Sequence, residues 1–234
     1  MFFDPLYFLF VGPAMLLAMW AQWKVKSSYA HAAKIGGRSG MTGAQAAARL
    51  MQVNGIGGIG IEAIAGKLTD HYDPRRKVIA LSEGVYGGQS LAALGIAAHE
   101  CGHAIQDHSG YAPLVIRNGI VPLAAVGGNL SMLLMLAGFV IGGAGSVLGG
   151  WLIWVGIGLF SLTVIFQLVN LPVEFNASSR AKAQLVQAGI IASDELPEVR
   201  RVLSAAAMTY VAATLTAVLT LAYFLLRAQS RSGR

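Results

Sequence analysis

Five consecutive residues, His99-Glu100-Cys101-Gly102-His103, set two imidazoles four positions apart with a carboxylate directly after the first. Residues four apart on a helix share a face, so His99 and His103 can aim at one ion. Glu100, one position round, reaches a water beside that ion more readily than the ion itself. A zinc centre that hydrolyses needs a third protein ligand and an open fourth position. Composition alone produces an HExxH in roughly half a percent of chains this size. The bland alternative is two helix histidines satisfied by backbone carbonyls, with Glu100 on a solvated face. The apolar surroundings weigh against that alternative, because ionisable groups near a membrane are costly and usually have a task.

The third ligand must come from elsewhere in the chain. His108 lies five beyond His103, close to the expected helix end, and no HxxGxxH continuation is present. His31 follows the first apolar run, and His71 falls in a stretch that reads as strands. The carboxylate candidate is Glu174, in "LPVEFNASSRAKAQL". Leu171-Pro172 is expected to open a new helix whose first turn holds Glu174, where the helix dipole favours a glutamate without any metal. Against that stands its position, just after an apolar run that returns the chain to the side carrying HECGH. Spacing leaves both readings open. His71, Tyr72 and Arg76 in "DHYDPRR" are candidate donors to an oxyanion, or simply a polar turn. Cys101, about 200° round the helix from His99, reads as a packing residue.

These residues need elements to hold them, and the elements read as membrane-borne. Of 234 residues 55% are hydrophobic and 12% charged, where a soluble domain is nearer a quarter charged. Four apolar runs, at 5–23, 121–143, 147–169 and 205–226, suit about 30 Å of hydrocarbon at about 20 residues each. Lys24 and Lys26 end the first, with Trp20 and Trp23 placed for the interface. That run lacks a basic n-region and a small-residue cleavage site, so it is expected to remain as an anchor. A short glycine-rich turn makes the second and third runs a hairpin. Gly138 with Gly142, and Gly145 with Gly149, have the spacing that permits close helix approach. The expected divisions are a span at 1–23, a polar region with HECGH at 24–120, the hairpin at 121–170, a polar helix with Glu174 at 171–204, and a span with a basic tail at 205–234.

The hairpin puts both polar regions on one side. Region 24–120 carries ten Lys/Arg against six Asp/Glu, and 171–204 carries four of each. Their 14 basic residues place this side in the cytoplasm, although Arg227, Arg231 and Arg234 then lie outside, against the rule. The net charge of +6 is accounted for in this way, without nucleic acid. One cysteine excludes an intrachain disulfide and a cysteine-based zinc cluster. Locally, Thr42 with Gln45 resembles a capping box that opens a helix closed at Asn54-Gly55. The stretch "IGIEAIAGKLTDHYDPRRKVIALSE" reads as short strands about an Asp73-Pro74 turn. A helix over Ser90–Gln106 carries HECGH. "KVIALSE" reads either as an edge strand able to align an extended substrate or as an ordinary strand packed on that helix.

The strings "SGMTGAQAAARLM", "LTDHYDPRRKVIALSEGVYGGQSLAALGIAAHECGHAIQDHSGYAPLVIR" and "LPVEFNASSRA", with the placing of the spans, resemble the neutral zinc metallopeptidases of bacterial membranes, the YugP-like group. The likeness covers almost the whole chain. It implies a mainly α membrane protein of about four transmembrane helices, with a small α+β gluzincin-like zinc-protease domain inserted between them. It implies zinc on His99, His103 and Glu174, Glu100 as catalytic base, and a peptide or protein substrate. It also implies residence in the bacterial inner membrane with the site facing the cytoplasm. The plan is also similar to the HtpX and CAAX-processing zinc proteases. Two positions depart from the pattern. Asn176 stands where an aspartate is common two residues after the ligand glutamate, and Ser178 stands where the related proteases carry an acid. A carboxylate behind a ligand histidine fixes its tautomer and raises its basicity, so these positions bear on zinc affinity. The rival reading is a membrane scaffold with a structural zinc. A metal transporter fits poorly, because the ligands lie beside the spans.

Overall fold

The computed structural model describes residues 4–141 and 146–232. Gly142, Gly145 and Arg234 lie outside the described residues, as does the side chain of Arg231. Among the described residues seven helices and three strands follow in the order α1 (Pro5–Ala32), α2 (Gly43–Val53), β1 (Gly60–Ile64), β2 (His71–Asp73), β3 (Val78–Ser82), α3 (Glu83–Tyr86), α4 (Leu91–His108), α5 (Ala112–Val140), α6 (Val147–Gln187) and α7 (Leu196–Ser232). The chain forms two compact units.

One unit comprises Met1–Trp20, Ile116–Leu171 and Tyr210–Arg234. It draws on the four helices that are long and apolar enough to cross a membrane. Their most apolar stretches are only 17–33% buried. Leu9, Leu16, Val126, Leu133 and Trp151 turn outward, which hydrocarbon tolerates and water does not. Met135, Ile153, Ile157, Tyr223 and Phe224 fill the interior. Glycine brings α5 and α6 together, and Gly138 and Gly149, one from each expected motif, meet each other. A Cβ on Gly138 would lie 2.7 Å from the carbonyl oxygen of Gly149, and one on Gly156 would lie 2.9 Å from that of Ser131. At the start of α1, Asp4 accepts a hydrogen bond from the Tyr223 hydroxyl (2.9 Å) and pairs with Arg227 (3.0 Å).

The other unit comprises Ala21–Val115 and Pro172–Thr209. The capping box forms as the residues suggested: Thr42 accepts from the Gln45 N–H and Gln45 from the Thr42 N–H, and Asn54 closes α2. The strands make one sheet in the order β1-β3-β2, with β1 parallel and β2 antiparallel to β3. Asp73 closes the β2–β3 turn by accepting the Arg75 and Arg76 N–H groups at 2.8 and 3.1 Å. The edge-strand reading of "KVIALSE" is therefore corrected. Val78–Ser82 is the central strand, buried at every position, paired with β1 along its whole length and with β2 over Val78–Ala80. Helix α4 is capped by Ser90 and has thirteen of its eighteen residues buried, so the polar side chains it carries need partners inside the unit. Leu50, Ile79, Leu81, Leu185 and Ile190 join its Leu94 in the core.

A second correction concerns α6. No helix begins at Leu171-Pro172; Pro172 lies inside one unbroken helix. An interior proline costs about 3 kcal/mol. The stripe Val173, Ala177, Ala181 and Leu185, buried at four-residue intervals, supplies more than that in burial. Glu174 therefore lies in mid-helix, where the dipole of a first turn cannot account for it.

Candidate metal centre

Helix α4 places the His99 and His103 rings one turn apart, 4.8 Å between centroids and nearly perpendicular at 84°. Glu174 arrives from α6 because Gly102 lets that helix in. A Cβ at Gly102 would lie 2.6 Å from the Ala177 carbonyl oxygen, so the two backbones touch within one turn of Glu174. The Glu174 Oε2 then stands 3.3 Å from His99 Nε2 and 3.6 Å from His103 Nε2. One ligand atom from each residue lies within 4.8 Å of the other two. Ligands about 2.0–2.2 Å from a tetrahedral zinc stand roughly 3.3–3.5 Å apart, and two imidazoles with a carboxylate are a common catalytic zinc set. The residues present fit that ion.

Glu174 and His103 stabilise each other's charged forms. Burial on its own pushes the Glu174 carboxyl up, but hydrogen bonding to His103 and His99 and their charge outweigh it and hold it well below the ordinary carboxylate range. Burial pushes His103 down, yet the Glu174 hydrogen bond and the Glu100 charge leave it raised. Glu100 is 7% exposed, and among the described residues no donor engages its carboxylate.

Behind the histidines the structure places both departing residues and two more. Ser178 Oγ lies 3.2 Å from His99 Nδ1. Gln106, fully buried, sets its Oε1 3.0 Å from His103 Nδ1. Its Nε2 donates to the Val173 carbonyl (2.8 Å) and to Asn176 Oδ1 (3.0 Å), and Asn176 Oδ1 also accepts from Arg180 Nε (2.7 Å). Gln106 and Arg180 escaped the reading of the sequence. The signal for Gln106 was there: a glutamine three residues after His103, on the same face of a helix otherwise rich in alanine.

The remaining candidates are engaged elsewhere. His71 is exposed and its Nδ1 meets the Thr69 carbonyl. The Tyr72 hydroxyl donates to Asp107 (2.6 Å), which Lys77 also reaches. Burial and then that hydrogen bond raise the Tyr72 phenol. Arg76 pairs with Glu62, His31 with Glu198, and His108 is exposed. Cys101 is buried near the Ala47 carbonyl, its thiol pushed up by that burial, in keeping with a packing role.

A membrane-type helical chain with a His-His-Glu centre defines a class, and comparison with known proteins agrees. The chain belongs to the family described as "Putative neutral zinc metallopeptidase", whose sequence model matches residues 7–229. It is 46% identical over 220 residues to "Putative membrane protease YugP" of Bacillus subtilis (strain 168), covering 94% of this chain and 95% of that protein. No solved structure matches.

Proposed function

We propose that this chain is a membrane-embedded zinc endopeptidase of gluzincin type, in which His99, His103 and Glu174 hold the metal and Glu100 is the general base. The observation that carries the reading is the reach of one Glu174 oxygen to both Nε2 atoms, at 3.3 and 3.6 Å. When bound, zinc supplies a Lewis acid that makes water acidic near neutral pH and polarises a peptide carbonyl. Glu100 takes a proton from the attacking water and hands it to the leaving amine. Its freedom from other hydrogen bonds leaves both transfers open. The substrate is a peptide or protein met at the bilayer. In this reading, polar region 24–120 and segment 171–204 both face the cytoplasm of a bacterial inner membrane, as their basic excess supports.

The test is metal content and cleavage on the full chain in detergent. Wild type is expected to hold about one zinc per chain, and Glu174→Ala to lose it. Glu100→Gln is expected to keep zinc while abolishing proteolysis. A wild type that takes up no zinc after supplementation, or a Glu174→Ala that keeps it, overturns the assignment.

A further inference from the structure

We propose that Arg180, Asn176 and Gln106 form a directional relay of neutral amides, ending in a guanidinium, that fixes His103 as the Nδ1–H tautomer and aims its Nε2 lone pair at the ligand cluster. This rests on the zinc reading above and assigns three positioning residues to that site.

The direction of the relay follows from its two fixed ends. Arginine only donates and a backbone carbonyl only accepts. Arg180 Nε, 2.7 Å from Asn176, requires the amide oxygen there, so Asn176 cannot be turned round. Gln106 faces two acceptors, Asn176 Oδ1 at 3.0 Å and the Val173 carbonyl at 2.8 Å. Both demand N–H, and the Gln106 amide nitrogen has two to give. Its oxygen is left facing His103 Nδ1 at 3.0 Å, and an oxygen there requires the proton on Nδ1. No other arrangement satisfies every atom of a fully buried glutamine, and an unmet buried polar atom is costly. The guanidinium is itself steadied over the Tyr111 ring, 6.0 Å from its centre.

Gln106 Oε1 stands where a carboxylate behind His103 would stand, and does half of its work. A carboxylate behind a ligand histidine both orients the ring and raises its basicity; an amide oxygen orients it and adds no charge. The chain thus keeps the geometry of the ligand while leaving the imidazole a weaker donor.

The test uses the full chain in detergent with zinc alone as the probe. Zinc affinity is measured by competition with a chromophoric chelator, and 15N-histidine spectra are recorded with and without added zinc. Wild type is expected to show a slowly exchanging proton on His103 Nδ1 in both spectra. Gln106→Met should lose that signal and bind zinc about 10–100-fold more weakly, still at one per chain. Arg180→Met, which frees the outer end, should weaken binding in the same direction by less. Asn176→Asp keeps an acceptor facing both donors and should preserve the signal with equal or tighter binding. If Gln106→Met does not fold, Arg180→Met and the wild-type spectrum carry the decision. The relay is overturned if the foldable variants bind zinc within twofold of wild type with the His103 signal unchanged, or if the wild-type proton sits on Nε2. A protein that takes up no zinc overturns the peptidase reading instead, while the zinc-free spectrum still decides the relay.

Discussion

Helix α6 meets neighbouring backbone through glycine in both units, and the contacts at Gly156 and at Gly102 have different consequences. At Gly156 a Cβ would meet the Met135 side chain at 2.6 Å and the Ser131 carbonyl at 2.9 Å, within a helical hairpin of apolar surroundings. Lipid is as apolar as leucine, so helices there associate through close packing itself, and the product of the contact is stability. At Gly102 the obstacle is the Ala177 carbonyl at 2.6 Å, and the product is the position of Glu174, three residues earlier on the same helix. One contact sets an energy and the other sets a geometry.

That contrast is open to a direct break. Gly102→Ala forces α4 and α6 apart at rigid backbone and is expected to weaken zinc binding a hundredfold or more, besides an overpacking cost of about 1–3 kcal/mol. Gly156→Ala should cost a similar amount of stability, part of it relieved by the flexible Met135, and leave zinc affinity within twofold. Chelator competition and thermal unfolding in excess chelator measure the two quantities separately. Equal zinc affinities in the two variants end the distinction.

The units also differ in how buried polar atoms are treated, and here the expected effects are smaller. Around the histidines, Glu100 apart, the buried polar groups are matched: Ser178 to His99 Nδ1, Gln106 to three partners. In the helical unit Thr163 Oγ1 and Asn170 Oδ1 are buried without a partner among the described residues. Ser178→Ala removes the only group behind His99 Nδ1 among the described residues and should lower zinc affinity about tenfold. Ser178→Asp, which supplies the charge that related proteases carry, should raise it. Thr163→Val deletes a hydroxyl that makes no bond, and should leave the melting temperature unchanged or raise it. A destabilised Thr163→Val would mean that water or lipid satisfies that hydroxyl.

Much of the site was legible because it depends on local spacing. HECGH needs only the helical repeat, and the Thr42–Gln45 box needs only four residues, so both survive any tertiary arrangement. Glu174 was nameable as a ligand candidate because the hairpin brings the chain back to one side. Its helical setting was not, since the cost of Pro172 is visible in the sequence while the burial of Val173, Ala177 and Ala181 that outweighs it appears only with α4 in place. The centrality of β3 is hidden for the same reason. A run of five apolar-to-small residues looks alike at an edge or in the middle until its neighbours are known. Gly138 and Gly156 were two among 29 glycines, and which carbonyl each admits is a property of the paired helices. Arg180 and Gln106 lie 74 positions apart and meet only through Asn176, a connection that no local pattern encodes.

The last contrast is between one ion pair from each unit, and it carries the smallest effects. Asp4 in the helical unit holds both Tyr223 and Arg227, with side chains 13% and 33% exposed for the ion pair. Arg38 and Asp194 in the other unit pair at 66% and 62% exposure. Asp4→Asn breaks a sheltered pair and should lower the melting temperature more than Asp194→Asn, which should shift it by no more than about 2 °C at neutral pH. The exposed pair still has a signature in acid. The hydrogen bond from Arg38, then its charge, lowers the Asp194 carboxyl below its ordinary value of 3.8. A carboxylate depressed on folding adds stability above the unfolded value and loses it as pH falls through the folded one. Wild type should therefore lose stability below about pH 4 more steeply than Asp194→Asn. The buried Glu195 beside it, which accepts the Arg38 and Ala192 N–H groups at 3.0 and 2.8 Å, keeps the loop closed in both proteins. Melting curves at pH 3 and pH 7 make the comparison. If the acid limbs of the two proteins coincide, solvent screening has cancelled the pair, and the loop is held by Glu195 alone.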